Sequence, residues 1–147
     1  MIRKFQLSDL DEVLNLFHLN TPKYFHPEEE KDLLNYLRNE REDYFVFTID
    51  ENIVAAGGIN YKANENTAVI SWDFVHPQQQ GKGIGRKLTK YRLEHIRTQG
   101  NCNICLVRTS QFVNTFYEKM GFTLVSIHED YWAKGYDMYL MENKLII

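Results

Sequence analysis

The first third of the chain carries a helical pattern of apolar residues after a short extended segment. Apolar side chains recur at i, i+3, i+4 and i+7 in Leu10, Val13, Leu14 and Phe17. This spacing predicts an amphipathic helix with Ser8 as its N-cap and with its end at residues 20–22. A second helix is predicted from Pro27, where three glutamates follow at the positive helix end.

From Tyr44 onward apolar and polar residues alternate, which predicts strands. Three antiparallel strands are expected at 44–49, 53–61 and 67–75. A helix follows at 83–98, with one side formed by Ile84, Leu88, Tyr91 and His95. The last predicted elements are a strand, a helix and two strands, at 104–107, 110–120, 122–127 and 136–141. Together they predict one α/β domain over residues 1–147, with a mixed, mostly antiparallel sheet of about seven strands and about four flanking helices.

Composition narrows the class of protein. The chain has 147 residues, of which 44% are hydrophobic, enough for one buried core. Its formal net charge of −3 gives no electrostatic case for binding nucleic acid or an anionic membrane. No apolar run approaches the ~20 residues of a membrane span, and the N-terminus shows no apolar signal region. We therefore expect a cytoplasmic protein without a nucleic-acid or membrane partner.

Two cysteines, Cys102 and Cys105, have the spacing of half a zinc site or of a redox pair. A structural zinc needs two more ligands, and the sequence offers neither a second Cys pair nor a suitable His pair. A thioredoxin-like pair opens a helix, whereas residues 104–107 predict a strand. We interpret both cysteines as reduced thiols and expect no metal.

A glycine-rich segment, residues 80–85, joins a predicted strand to the next helix and is called the glycine loop below. A helix N-terminus presents unpaired N–H groups and about half a positive charge. Glycines let this backbone approach a phosphate closely, and Lys82 and Arg86 add two cations. The patterns G-x-x-x-x-G-K-[ST] and G-x-G-x-x-G do not match, since Arg86 replaces the third glycine of the latter. The loop predicts an anion site, with a tight turn that binds nothing as the alternative.

This segment resembles motif A of the GNAT acetyltransferases, [QR]-x-x-G-x-[GA], with Gln80 as its first residue. The same pattern also fits two residues earlier, from Gln78. Residues 116–122, Phe-Tyr-Glu-Lys-Met-Gly-Phe, resemble motif B of the same family. Both motifs occur in order, and the predicted element order matches the GNAT fold over essentially the whole chain.

The resemblance implies that acetyl-CoA binds as the acetyl donor. It assigns donor binding to the strand end, the loop and the following helices. These residues are Phe74, Val75, Gln80, Gly81, Lys82, Gly83, Ile84, Gly85, Arg86, Ser110 and Asn114. Related sequences often carry Asn at the position of Ser110, which leaves that single contact open.

By the same resemblance, Tyr117 lies beside the sulfur of the donor. On the predicted helix 110–120, Ser110, Asn114 and Tyr117 share one stripe at i, i+4 and i+7. The Tyr117 hydroxyl is expected to hydrogen-bond the departing thiolate, while a backbone N–H near Val75 stabilises charge on the carbonyl oxygen. A tyrosine that only packs in the core is the alternative.

An acceptor ammonium must lose a proton before it attacks, which requires a base. Many related proteins use a Glu six residues before the valine of the fourth strand, and this chain has Val69 there. Asp73 is the candidate catalytic carboxylate, and its direction depends on whether a bulge distorts the strand. Other side chains considered for the acceptor side are His76, Tyr24, His26 and Glu65.

Three functions compete at this point. The first is an N-acetyltransferase that moves an acetyl group from acetyl-CoA to a primary amine of a small molecule or peptide, by direct attack in a ternary complex. The second is a non-catalytic acetyl-CoA sensor, and the third is a nucleotide-binding module. End strands of such domains often pair between subunits, so a homodimer is expected, against a monomer in which Tyr131 and Trp132 pack on their own core.

Overall fold

A computed structural model describes residues 1–145, which form seven strands and four helices. The strands are β1 (Ile2–Lys4), β2 (Asp43–Ile49), β3 (Asn52–Lys62), β4 (Thr67–Val75), β5 (Ile104–Thr109), β6 (Thr123–Ala133) and β7 (Tyr136–Lys144). The helices are α1 (Leu10–Leu19), α2 (Glu30–Asn35), α3 (Ile84–Gln99) and α4 (Asn114–Lys119). The predicted mixed α/β class and element order are confirmed.

All seven strands form one sheet in the order β1-β2-β3-β4-β5-β7-β6. Neighbouring strands are antiparallel except β4 and β5, which are parallel. Alternation along β2 divides the core in two, because successive side chains point to opposite faces. Phe45 packs with residues of α3 and α4, whereas Val46 packs with residues of α1 and α2. The sheet therefore lies between two helical layers.

The two parallel strands separate at the middle of the sheet. Pairing between β4 and β5 ends at Ile70 and Val107, although β4 continues to Val75 and β5 to Thr109. The N–H of His76 donates to the Val54 carbonyl on β3 at 2.7 Å. Because alternate backbone groups of a strand point to opposite sides, the Val75 N–H points toward the opening. This opening gives access to backbone groups in the centre of the sheet.

A β-bulge in β4 sets the direction of the side chains at the opening. Gly58 pairs with Ser71 and Ala56 pairs with Phe74, so Trp72 and Asp73 together face one residue of β3. Trp72 has a φ of 48°, which is rare for a residue with a side chain. The bulge lies before Asp73, and Asp73 keeps the direction of Val75, toward α3. Without the bulge, regular alternation from Val69 would turn the Asp73 side chain to the opposite face of the sheet.

Some predicted boundaries were wrong. A 3₁₀ turn at Leu7–Asp9 precedes α1, and its N-cap is Gln6 rather than Ser8. Asp9 accepts from the Gln6 N–H at 2.8 Å, and the guanidinium hydrogen-bonded to Asp9 lowers the pKa of that carboxyl. The acid at the third position therefore replaces the expected serine cap.

The predicted helix 110–120 is also too long, because α4 begins at Asn114. Residues 111–113 form a turn, and the φ of Val113 is −131°, outside the helical range. Conversely, β6 extends to Ala133, beyond the predicted end at residue 127. Its outer position in the sheet leaves Leu124, Val125, Ile127 and Tyr131 about half exposed. Among the described residues, no helix is long and apolar enough to cross a membrane.

Candidate active site

A cavity of about 830 Å³ occupies the opening between β4 and β5 and is called the central cavity. It is lined from one layer by Phe25 and Tyr36 and from the other by Ile84 and Tyr117. These residues belong to opposite faces of the sheet, so the cavity is lined from both helical layers. Its volume lies within the usual range of ligand-binding pockets.

The glycine loop forms one wall of the central cavity. Gly81 and Gly83 have φ angles of 80° and 82°, a conformation that strongly favours glycine. A Cβ added to either residue would meet no atom within 4 Å, so the space above the loop is open. Gly83 is the N-cap of the sixteen-residue α3, whose first N–H groups have no intrahelical acceptor. The loop thus presents backbone donors to a space that a phosphate group can fill.

Gly85 differs from the other two loop glycines because it packs against protein. An added Cβ would lie 3.4 Å from Val75 and 3.5 Å from Phe116. This contact brings the start of α3 close to the end of β4 and to α4. The absence of a side chain at Gly85 therefore allows this close approach.

Gln80 connects the glycine loop with the segment between α1 and α2. Its side-chain nitrogen donates to the Val75 carbonyl at 3.2 Å and to Asn20 at 3.4 Å. Its oxygen accepts from the Tyr24 hydroxyl at 3.1 Å. Tyr24 and Gln80 thereby join the glycine loop to the segment on which the sequence predicts acceptor binding.

Three side chains that line the central cavity form a hydrogen-bonded group, which we call the Arg92 cluster: Arg92, Asp73 and Tyr117. Asp73 Oδ2 accepts from Arg92 Nη2 at 2.8 Å and also from the Tyr117 hydroxyl. Arg92 is fully buried, Tyr117 is 3% exposed, and the Asp73 side chain is 18% exposed. The partners come from α3, β4 and α4, so only the folded chain brings them together.

The electrostatics of this cluster keep Tyr117 a neutral phenol. Burial, and then the nearby negative charge of Asp73, raise the pKa of Tyr117 well above its ordinary value. Burial alone would lower the pKa of Arg92, but Asp73 outweighs that effect and raises it. The arrangement combines a permanent cation, a carboxylate and a protonated hydroxyl at the cavity wall.

Most predicted site residues surround the same cavity. Its lining includes both candidate catalytic residues, Asp73 and Tyr117. The predicted donor-binding residues that line it are Phe74, Val75, Gln80, Gly81, Gly83, Ile84, Gly85, Arg86 and Ser110. Lys82 and Asn114 lie outside the lining, and Asn114 donates to Glu118 at 3.4 Å instead. The structure brings the two motifs together around one space.

Of the residues considered for the acceptor side, only some lie at the cavity. Val69 and Tyr24 line the cavity, whereas His76, His26 and Glu65 do not. His26 and His76 instead cap short turns through their Nδ1 atoms. Apart from Asp73, the carboxylates in the cavity lining are Glu29 and Glu40, which the sequence pattern assigned to no site.

Glu29 was interpreted only as a charge at a helix end. It does cap that end, since Oε2 accepts from the His26 N–H at 2.8 Å. It is also buried and lines the cavity, and burial raises the pKa of its carboxyl. No local pattern separates Glu29 from Glu28 and Glu30, because its burial depends on how α2 packs.

Arg92 is the central residue that the sequence analysis missed. The predicted apolar side of α3 included Tyr91, which is 40% exposed. The buried side passes instead through Leu88, Arg92 and Ile96, at intervals of four residues. A charged residue at a buried helical position was the available signal, because such residues are rarely buried without a partner.

Neither cysteine takes part in this site. Cys102 and Cys105 are free thiols, and burial raises the pKa of Cys105 to about 12. Over residues 1–145, no group of three or more His, Cys, Asp or Glu side chains is placed to hold a metal ion.

Comparison with known families matches the chain to the family model of the acetyltransferase (GNAT) domain over residues 14–145. The chain belongs to the GNAT family. The match includes both the glycine loop and the motif around Tyr117, so the predicted family is confirmed. No curated protein matches the sequence.

Several solved GNAT structures share this fold at low sequence identity. The ribosomal-protein-S18-alanine N-acetyltransferase of Escherichia coli has a TM-score of 0.84 at 18% identity, over 100% of this chain and 94% of that chain. Ard1 of Thermoplasma volcanium has a TM-score of 0.84 at 20% identity, over 100% and 98%. An aminoglycoside 6′-N-acetyltransferase, solved with coenzyme A, has a TM-score of 0.79 at 14% identity, over 100% and 98%. At these identities the likeness shows the fold alone.

Proposed function

We propose that this chain is an acetyl-CoA-dependent N-acetyltransferase that acetylates a primary amine by direct attack. One observation carries the proposal: the open glycine loop and Tyr117 line the same cavity. The loop is fitted to a pyrophosphate, because its backbone donors face a space with no protein atom near Gly81 or Gly83. Gln80, Gly81, Gly83, Gly85 and Arg86 would hold this part of the donor.

Acetyl-CoA supplies an activated acetyl group and a thiolate leaving group. The Val75 N–H points into the opening of the sheet and would donate to the carbonyl oxygen as negative charge develops there. Tyr117 is a neutral hydroxyl in the same cavity and would donate to the sulfur as it leaves. Its raised pKa makes complete proton transfer unfavourable, so a hydrogen bond followed by protonation from solvent is the expected sequence.

Asp73 has a different role in this proposal from that of a free base. Its Oδ2 already accepts from Arg92 and from Tyr117, so a proton on that oxygen would cost both contacts. The acceptor side of the cavity offers Glu29 and Glu40 instead. Their charge favours a cationic amine, and a water between the amine and either carboxylate would carry the proton away.

The test begins with donor binding. Acetyl-CoA at about 100 times its Kd should stabilise the protein by about 2.7 kcal/mol and raise the Tm by several degrees. ATP at the same concentration should have little effect. Equal stabilisation by ATP would favour the nucleotide-binding alternative.

The second step measures thiol release from acetyl-CoA in the presence of primary amines. A suitable panel follows the substrates named for similar structures: a peptide with N-terminal alanine, an aminoglycoside and phosphinothricin. Release that depends on both enzyme and amine supports acetyl transfer. Tight acetyl-CoA binding without transfer to any amine would favour the sensor function, which the apolar Val69 position already suggests.

A further inference from the structure

Arg92 is buried in the apolar side of α3, and its guanidinium donates hydrogen bonds to four groups. Nη2 donates to Asp73 at 2.8 Å and to Thr89 at 3.4 Å. Nη1 donates to the Gly58 carbonyl at 3.2 Å, and Nε donates to the Leu88 carbonyl at 3.4 Å. Asp73 is the only anion among these partners. Every charge-compensating contact of Arg92 is therefore directed at the carboxylate that holds Tyr117.

Strand β3 is shaped to admit this side chain. A Cβ added to Gly57 would lie 2.7 Å from Arg92 Nη1 and 2.8 Å from Asp73 Cβ, closer than any real contact. The φ of Gly57 is not in the left-handed region, so backbone conformation does not require glycine there. Gly57 thus provides space for the ion pair.

Stability alone does not account for such a pair. Removing two charges from water costs about as much as their attraction returns, and apolar replacements of buried ion pairs are often neutral or stabilising. The pair does have a direct consequence for the hydroxyl beside it. A phenol hydroxyl has a single hydrogen to donate, and the Tyr117 hydroxyl donates its hydrogen to Asp73.

We propose that Arg92 is a positioning residue that acts on Tyr117 through Asp73. Asp73 holds the Tyr117 hydroxyl at the cavity wall, and Arg92 offsets the negative charge of Asp73. The hydroxyl can then turn from Asp73 to the leaving sulfur as the sulfur becomes negative. Without Arg92, an uncompensated carboxylate would retain the hydrogen and repel the thiolate. This inference rests on the proposed function.

The first test compares Arg92→Met with Arg92→Lys. The Met variant removes the charge, so kcat should fall about 100-fold, the scale of a lost proton-donating group. The Lys variant keeps the charge and should stay within about tenfold of wild type. The Kd for acetyl-CoA should change less than about twofold in both, because the effect falls on the transition state. Arg97→Met, on the exposed side of the same helix, is the matched control and should leave kcat unchanged.

The second test asks whether Arg92 acts through Tyr117. In the Tyr117→Phe background, Arg92→Met should cost no further kcat, since the hydroxyl that it positions is gone. Losses that simply multiply would overturn the inference. So would a folded Arg92→Met variant with wild-type kcat. If circular dichroism shows that Arg92→Met does not fold, the cycle is measured with Arg92→Gln, which also removes the charge but keeps a polar side chain.

These outcomes separate the inference from the proposed function. A wild-type protein that transfers no acetyl group, or a Tyr117→Phe variant with full kcat, would overturn the catalytic role of Tyr117 and the inference with it. A slow Tyr117→Phe variant beside fully active Arg92→Met and Arg92→Lys variants would overturn the inference only.

Discussion

The glycine loop and the Arg92 cluster line the same cavity but are built in different ways. The loop is continuous in sequence, exposed, and made of backbone groups around open space. The cluster joins residues 73, 92 and 117 from three elements and is almost entirely buried. The loop leaves open space beside its backbone donors, whereas the polar side chains of the cluster already hydrogen-bond one another.

Under the proposed function, this difference gives the two regions different energetic roles. A loop of free backbone donors contributes to binding, because its interactions form when the ligand arrives. A buried cluster with fixed dipoles contributes to the reaction, because its charges are oriented before the reaction starts. Changes in the loop should therefore alter Kd, and changes in the cluster should alter kcat.

The largest effect is expected from Tyr117→Phe. This change keeps the ring and its packing against Phe116 and Phe122 and removes only the hydroxyl. We expect kcat to fall by about 10²–10⁴-fold. The affinity for acetyl-CoA should stay nearly constant, measured by isothermal titration beside steady-state thiol release. A Tyr117→Phe protein with a much lower Tm but normal kcat would make this tyrosine structural.

A matched control is Tyr91→Phe. Tyr91 lies on the exposed side of α3, so loss of its hydroxyl should change neither kcat nor the affinity for acetyl-CoA. If Tyr91→Phe loses as much kcat as Tyr117→Phe, the loss is not specific to the Arg92 cluster, and the contrast between loop and cluster is wrong.

The two regions were not equally accessible from the sequence. The glycine loop could be predicted because its glycines, its position after a strand and its helix N-terminus are local features. The element order was also predictable, since each strand and helix has its own apolar period. Boundaries such as the start of α4 were less predictable, because the turn at 111–113 contains no glycine or proline to mark it.

The Arg92 cluster could be predicted only in part. Tyr117 belongs to a recognisable motif, and Asp73 was named from its nearness to the loop. Their contact depends on the bulge at Trp72, a feature of strand pairing that a single sequence does not encode locally. The role of Arg92 depends in turn on the space left by Gly57, thirty-five positions earlier in the chain. Long-range contacts of this kind follow from packing rather than from pattern.

A smaller effect is expected from Gly83→Val, which tests the loop. The side chain would enter the open space above the loop, where the pyrophosphate is proposed to bind. We expect affinity for acetyl-CoA to fall at least about tenfold, with little change in kcat at saturation. Isothermal titration measures the first and thiol release the second.

Gly135→Val is the matched control for backbone strain. Gly135 has a φ of 83° beside 82° at Gly83, and an added Cβ there also meets no atom within 4 Å. Both variants therefore bear similar strain, but Gly135 lies outside the cavity lining. Weaker binding in both would attribute the effect to destabilisation rather than to the loop.

The smallest effect is expected from the two cations near the glycine loop, Lys82 within it and Arg86 directly after it. Arg86 lines the central cavity, whereas Lys82 is exposed outside it. An exposed ion pair contributes at most about 1 kcal/mol, or about fivefold in affinity, and salt weakens it. Arg86→Ala should therefore weaken acetyl-CoA binding by up to about fivefold at low salt, and Lys82→Ala by less than about twofold. Titrations at low and high salt separate the cases, because the Arg86 effect should shrink as ionic strength rises. A larger loss for Lys82→Ala would mean that the phosphates lie on the outer side of the loop, and the assignment of the loop backbone to the pyrophosphate would then be wrong.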